Sequence, residues 1–238
     1  MNLSKVKKNT VLGILFFLPV TFLLFLYPAK HNYKPLDIIN ESVYKGFKYE
    51  NNRDANVQFN DRITVLGFIG KDPLSQLISV SNLKELVYDK FKGFKKFQII
   101  LIASPGTYEH ANSLRKEVSS FEELKYFHIV YASDFELKRM YRSLKFRSPL
   151  SENLSTPEVV IIDKEFLQRG RLDDRDAEKS SSNSHDIIPL NSYNSIEVSE
   201  IKNKMSEDMR ILFTEYRQKR KGNFDSTTRR AQDLKDNE

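Results

Sequence analysis

Residues 157–171 read Pro157-Glu-Val-Val-Ile-Ile-Asp163-Lys-Glu-Phe-Leu-Gln-Arg169-Gly-Arg171. Proline has no N–H to give a ladder and suits the first position of a strand. Four β-branched residues follow, then a polar turn, then Phe166–Arg171 as a short return. The stretch predicts a strand over Pro157–Asp163 with an antiparallel hairpin partner. Three other apolar runs lie upstream: Arg62–Ile69, Phe97–Ala103 and Tyr126–Ala132. None alternates polar with apolar, so each reads as a strand covered on both faces. Helical spacing separates them: Leu83, Leu86, Val87, Phe91 and Phe94, then Leu114, Val118 and Phe121, then Phe135, Met140, Tyr141 and Leu144. Ser133-Asp134-Phe135-Glu136 predicts a capping box at the third helix. The order βαβαβα plus hairpin predicts an α/β three-layer sandwich with a mixed central sheet, mainly parallel with one antiparallel edge. A last helix is expected over about 196–220, with Val198, Ile201, Met205, Met209, Leu212 and Tyr216 on one stripe.

Composition narrows the chemistry. The 238 residues include no Cys, no Trp and eight Gly. Thiol nucleophiles, thiolate metal sites and dithiol exchange are excluded. Gly67-Phe68-Ile69-Gly70-Lys71 has neither Walker nor dinucleotide spacing. The net charge of +6 is spread and interleaved with acids, which argues against nucleic acid as a partner. The four histidines, His31, His110, His128 and His185, share no metal-ligand spacing. Asp173, Asp174 and Asp176 lack the calcium-loop order. No nucleophile elbow is present. No cofactor is expected.

Thr10–Tyr27 carries no charge. As a helix it covers about 27 Å, close to the ~30 Å of a hydrocarbon core. Lys5, Lys7 and Lys8 precede it and favour a cytoplasmic N-terminus. Cleavage after Ala29 would put Tyr27 where a signal peptidase wants a small residue, so an uncleaved anchor fits better than a signal peptide. The expected organisation is a cytoplasmic segment 1–9, a transmembrane anchor 10–27, a tether and irregular lead-in 28–60 with a strand-like patch at Gly46–Tyr49, the folded domain 61–220 and a disordered tail 221–238. Residues 174–195, with Ser180-Ser181-Ser182-Asn183-Ser184, read as an exposed insertion. The expected location is the inner membrane, single-pass, with the domain on the periplasmic side.

Three stretches resemble one family. Ile63–Gly70 resembles the strand that leads into the active-site loop of the SCO/SenC proteins, a thioredoxin-like branch of envelope-anchored cytochrome oxidase assembly factors. Val160-Ile161-Ile162-Asp163, with Arg169-Gly170 and Asp173 at matching spacing, resembles their terminal hairpin. Glu197–Tyr216 resembles their closing helix. The resemblance implies a thioredoxin-like fold of the peroxiredoxin/SCO type and a role in respiratory oxidase assembly. The family's loop holds two cysteines that bind copper with a later histidine. Here the loop reads Lys71-Asp72-Pro73-Leu74-Ser75-Gln76, and residues 147–156 hold no histidine. Soft copper wants thiolate or thioether ligands, so a degenerate, copper-free member is expected.

The candidate site is then a docking face: Lys71 and Pro73 on the loop, Thr156 and Pro157 at the facing strand, and Arg169 and Arg171 as rim charges on the hairpin. The resemblance also invites a cis Thr156–Pro157 peptide. Arg217-Gln218-Lys219-Arg220-Lys221 offers a second basic surface. The leading reading is a membrane-anchored protein that acts by contact with an unidentified protein, with a respiratory complex or its assembly factors suggested by the resemblance. The alternative is a thiol-independent enzyme, or a redox protein served by a partner's cysteines, working at the old pocket.

Overall fold

A computed structural model describes residues 3–26, 35–50, 57–119, 123–174 and 187–220. The chain divides into two units, Met1–Lys34 and Pro35–Glu238. The described residues of the first form one helix, α1 (Leu3–Leu26), with Pro19 inside it. Its side chains are described over residues 10–24, where Phe16, Phe17, Leu23 and Leu24 are exposed. Among the described residues no helix is long and apolar enough to cross a membrane.

The second unit is built on a seven-stranded sheet among the described residues. Its strands are β1 (Asp37–Asn40), β2 (Ile63–Gly70), β3 (Phe97–Ala103), β4 (Phe127–Tyr131), β5 (Ser155–Ile162), β6 (Gln168–Gly170) and β7 (Tyr193–Asn194). The order is β1-β6-β5-β2-β3-β4, with β7 also on β5. β2, β3 and β4 run parallel. β5 runs antiparallel to β2, and β6 to β5. The predicted antiparallel edge is therefore half the sheet, because β5 inserts beside β2 and carries β6 and β1 with it.

The helices are α2 (Leu77–Leu83), α3 (Asp89–Phe91), α4 (Tyr108–Ser119), α5 (Asp134–Arg142) and α6 (Ser206–Arg220). A π-turn at Lys84–Tyr88 joins α2 to α3, and another at Glu200–Met205 leads into α6. Alternate strand residues feed two cores, as the period of two requires. Val65, Ile99, Leu101 and Ile161 pack with Val80, Leu83, Leu114, Met209 and Leu212. Leu66, Phe68, Ile100, Ile102 and Val160 pack with Leu137 and Met140 of α5. That makes three layers, as predicted.

Four expectations change. Residues 35–50 and 57–60 are more than a lead-in: β1 pairs with β6, and Val43, Val57 and Phe59 complete the second core. The patch Gly46–Tyr49 is not a strand; the pairing falls one residue later, as the bridge Glu50–Tyr131. The insertion folds back at its end, where Tyr193 of β7 is fully buried, while Asp176, His185 and the serine run lie outside the described residues, as do His31 and the tail 221–238. The capping box is half formed. Ser133 accepts from the Glu136 N–H, but Glu136 Oε2 accepts from Lys48 N instead of reaching back.

Candidate functional site

β2 ends in a turn that only glycine fits. Gly70 has φ +57°, and a Cβ there would lie 2.0 Å from the Asn153 carbonyl oxygen. The loop before β5 is pressed against it, with Leu154 also at positive φ. Lys71 N donates to Asn153 O at 2.8 Å, and Ser104 N donates to Gly70 O at 2.9 Å. The backbone around the end of β2 is thus tied to both neighbouring strands.

Side chains then close the place. Lys71 Nζ lies 2.7 Å from Asp134 Oδ2, with both side chains nearly half exposed. That lysine, with burial working against it, holds the Asp134 carboxyl below its ordinary range. Pro73 is buried at the first position of a 3-10 turn, Pro73–Gln76, where a missing N–H does no harm. Leu74 and Ile78, one helical turn apart, are 43% and 66% exposed.

Thr156 and Pro157 face this loop from β5. Thr156 is buried opposite Phe68, and the β2–β5 register shifts between Gly67 and Phe68. Pro157 sits at that irregularity, where no ladder N–H is required. Its peptide bond is trans, since the described residues contain no cis peptide; the expected cis bond is corrected. Its carbonyl accepts from Ser195 N at 2.9 Å. Beneath it lies Glu158, a carboxylate that sequence reasoning missed. Glu158 accepts from Ser192 Oγ at 2.6 Å, Ser148 Oγ at 2.9 Å and Arg147 N at 3.0 Å. With its oxygens so occupied, it serves as a structural hub for the 147–158 and 190–195 segments.

Arg169 and Arg171 do not join the loop. β5 carries the chain from Ser155, opposite Ile69, to Ile162, opposite Thr64. The hairpin therefore turns at the start of β2, where Asp61 N donates to Lys164 O. Arg169 pairs with Ile161 at that end. Its side chain is 4% exposed and bridges Asp163 at 2.9 Å and Glu215 at 2.6 Å. It also donates to Leu36 O at 2.7 Å. Arg171 grips the fully buried Asp208, at 2.7 Å, and Asp174 at 3.1 Å. Although burial works against its charge, these carboxylates raise its pKa. Arg169 is an internal ion pair, and Arg171, a quarter exposed, is taken up by Asp208, Asp174 and Glu207, so neither is a rim charge of the loop. Lys71, Pro73, Thr156 and Pro157 remain together at the end of β2.

Among the described residues no group of three His, Cys, Asp or Glu side chains is placed to hold a metal. His128 lies buried in β4, and His110 is exposed on α4.

A parallel β2-β3-β4 half with helical crossovers, joined through β5 to an antiparallel hairpin and closed by a C-terminal helix, is a thioredoxin-like fold, here without cysteine. No family model and no curated protein matches the chain. Similar solved structures include the soluble domain of Sco1 from Bacillus subtilis, at 13% identity and TM-score 0.43, covering 72% of this chain and 92% of that one. Apo Sco1 from Thermus thermophilus matches at 16% identity and TM-score 0.42, covering 75% and 93%. A candidate electron transfer protein from Aquifex aeolicus VF5 matches at 14% identity and TM-score 0.48, covering 72% and 96%.

Proposed function

We propose that the chain is a membrane-tethered, extracytoplasmic thioredoxin-like protein that works by contact with another protein, without thiol or copper chemistry of its own, in respiratory oxidase assembly. One observation carries the contact reading. At the end of β2, where thioredoxin-like folds place their chemistry, the loop has no thiol and Lys71 is paired with Asp134. Beside the paired Lys71 and the exposed Ser75, the loop and helix start offer two apolar side chains to solvent, Leu74 and Ile78, one helical turn apart. Exposed apolar side chains on a rigid helix start are the kind that bury at protein interfaces. The uncharged run Thr10–Tyr27 with Lys5, Lys7 and Lys8 before it supports the tether and its orientation. The resemblance of the strand, hairpin and closing helix to SCO/SenC proteins supports the process.

The test places a photo-crosslinking residue at Ile78 of the full chain in its native membrane, with Glu117, exposed on α4, as control. The expected product is an adduct to an oxidase subunit or assembly factor from Ile78 alone. Ile78→Asp should then weaken co-purification of that same subunit with an unchanged melt. Identical products from both positions, or none from Ile78, refute the contact reading.

A further inference from the structure

A cavity of about 600 Å³ opens at the other end of the sheet, between the loop 93–96, the hairpin turn 164–165 and the last turns of α6. It lies beside Ile63, the first residue of β2, and so is separate from the loop that follows Gly70. Six cations line it, Lys95, Lys96, Lys164, Arg217, Lys219 and Arg220, against two carboxylates, Asp61 and Glu165.

The carboxylates are already engaged. Asp61 is bonded to Lys96. That bond, against burial and with help from Lys164 and Arg62, draws the Asp61 carboxyl below its ordinary range. Glu165 accepts from the Tyr216 hydroxyl. Lys219 is 3.1 Å from Glu215. Lys95, Arg217 and Arg220 are exposed and have no carboxylate partner among the described residues. The cavity therefore keeps positive charge that the described residues do not compensate, and a concave wall focuses it.

The wall itself is aromatic. Phe94 is 38% exposed and stacks on Phe213 at 4.1 Å and 20°. Phe213 stacks in turn on the buried Phe91 at 5.4 Å. Tyr216 has Lys164 and Lys219 at 4.8 and 4.9 Å from its ring. A fixed apolar surface with cations at its edge suits a flat body carrying a charged tail.

We propose that this cavity binds a small polyanion with a flat, apolar body, of the chemical class of a nucleotide. The ring lies against Phe94 and Phe213, and the phosphates reach Lys95, Lys164 and Arg217. This reading is independent of the contact proposed at Ile78.

The test uses the full chain in phosphatidylcholine nanodiscs and the fluorescent N-methylanthraniloyl derivative of ATP. The expected result is one saturable site per chain, weaker at higher salt because screening shortens the reach of the cations. The double variant Lys95→Glu, Arg217→Glu should weaken it about tenfold with the melt unchanged, both residues being exposed and unpaired. Unlabelled ATP should displace the probe better than pyrophosphate or adenosine alone. If the double variant melts lower, Lys95→Ala with Phe94→Ser replaces it, and the same loss is expected. Affinity unchanged in the variants overturns the proposal. Equal displacement by pyrophosphate also overturns it, since the rings then contribute nothing. Loss of binding when phosphatidylglycerol replaces part of the phosphatidylcholine assigns the cations to an anionic bilayer and overturns it too.

Discussion

Arg169 and Lys71 are both cations within an ion pair, and burial separates their worth. Asp163 and Glu215, the partners of Arg169, have side chains 0% and 1% exposed. Removing one member of a buried pair leaves uncompensated charge and costs about 3–5 kcal/mol. Arg169→Leu strands two carboxylates, with Lys219 still near one of them. It is expected to lower unfolding stability in urea by that amount, while Lys71→Ala at a half-exposed pair changes it by less than ~1 kcal/mol. Equal, small effects from both would refute the internal role assigned to Arg169. The misplacement of Arg169 in the sequence reading has a physical cause. Asp163, Arg169 and Arg171 stand close in sequence and read as a solvated turn. What buries Arg169 comes from far away, with Leu36 lying 133 positions earlier and Glu215 on the last helix. No local pattern announces such a cover.

At the scale of elements, legibility followed length. β2, β3, β4 and β5 are each five residues or longer and carry an uninterrupted run of three to five apolar residues, and all were readable. β1 has four residues, half of them polar, and β7 has two. Both exist because a distant strand offers them a ladder, which composition does not record. For the same reason the loop after β2 was legible as the end of that strand, but its neighbours, Asn153 and Asp134, were not. β7 nonetheless anchors a large segment. Tyr193 is fully buried and donates to Asp208 Oδ2 at 2.6 Å, beside Arg171. Tyr193→Phe keeps the ring and removes the donor, leaving a buried carboxylate oxygen to Arg171 alone. The expected loss is about 1.5–3 kcal/mol, the worth of a hydrogen bond to a charged group. Urea titration of the variant checks it, and an unchanged midpoint would mean that β7 is held by its ring and ladder alone.

For the molecule as a whole, the alkaline limit of stability is set by phenols. Tyr141 packs on Phe146 at 4.5 Å and against Phe68 at 5.4 Å. Burial first, and the Glu158 charge second, push its pKa from 10.0 up to about 12. Tyr193 is pushed up as well, by burial and then by Asp208. In the unfolded chain these phenols lose their protons near their ordinary value, while the folded protein keeps them. Between the two values the folded state binds more protons, so stability falls as pH rises. Lys90 acts in the opposite sense, because burial lowers its pKa, but it lies near the surface and the effect is small. On the acid side Asp134, held low by Lys71, adds stability that is lost as pH falls, while Asp208, raised by burial, works against it. Asp61, held low by Lys96, adds to the first effect and Glu165, raised by burial, to the second, so the two sets oppose each other. With no cysteine in the chain, neither thiolate formation nor disulfide exchange contributes to the alkaline limb. Thermal melts from about pH 8 to 12 should show the midpoint falling as the unfolded phenols begin to ionise near their reference value. Ultraviolet titration of the folded protein should show phenolate forming at Tyr141 only toward the upper end, and Tyr141→Phe should flatten the fall. A melt as steep in that variant as in the parent would remove Tyr141 from the account.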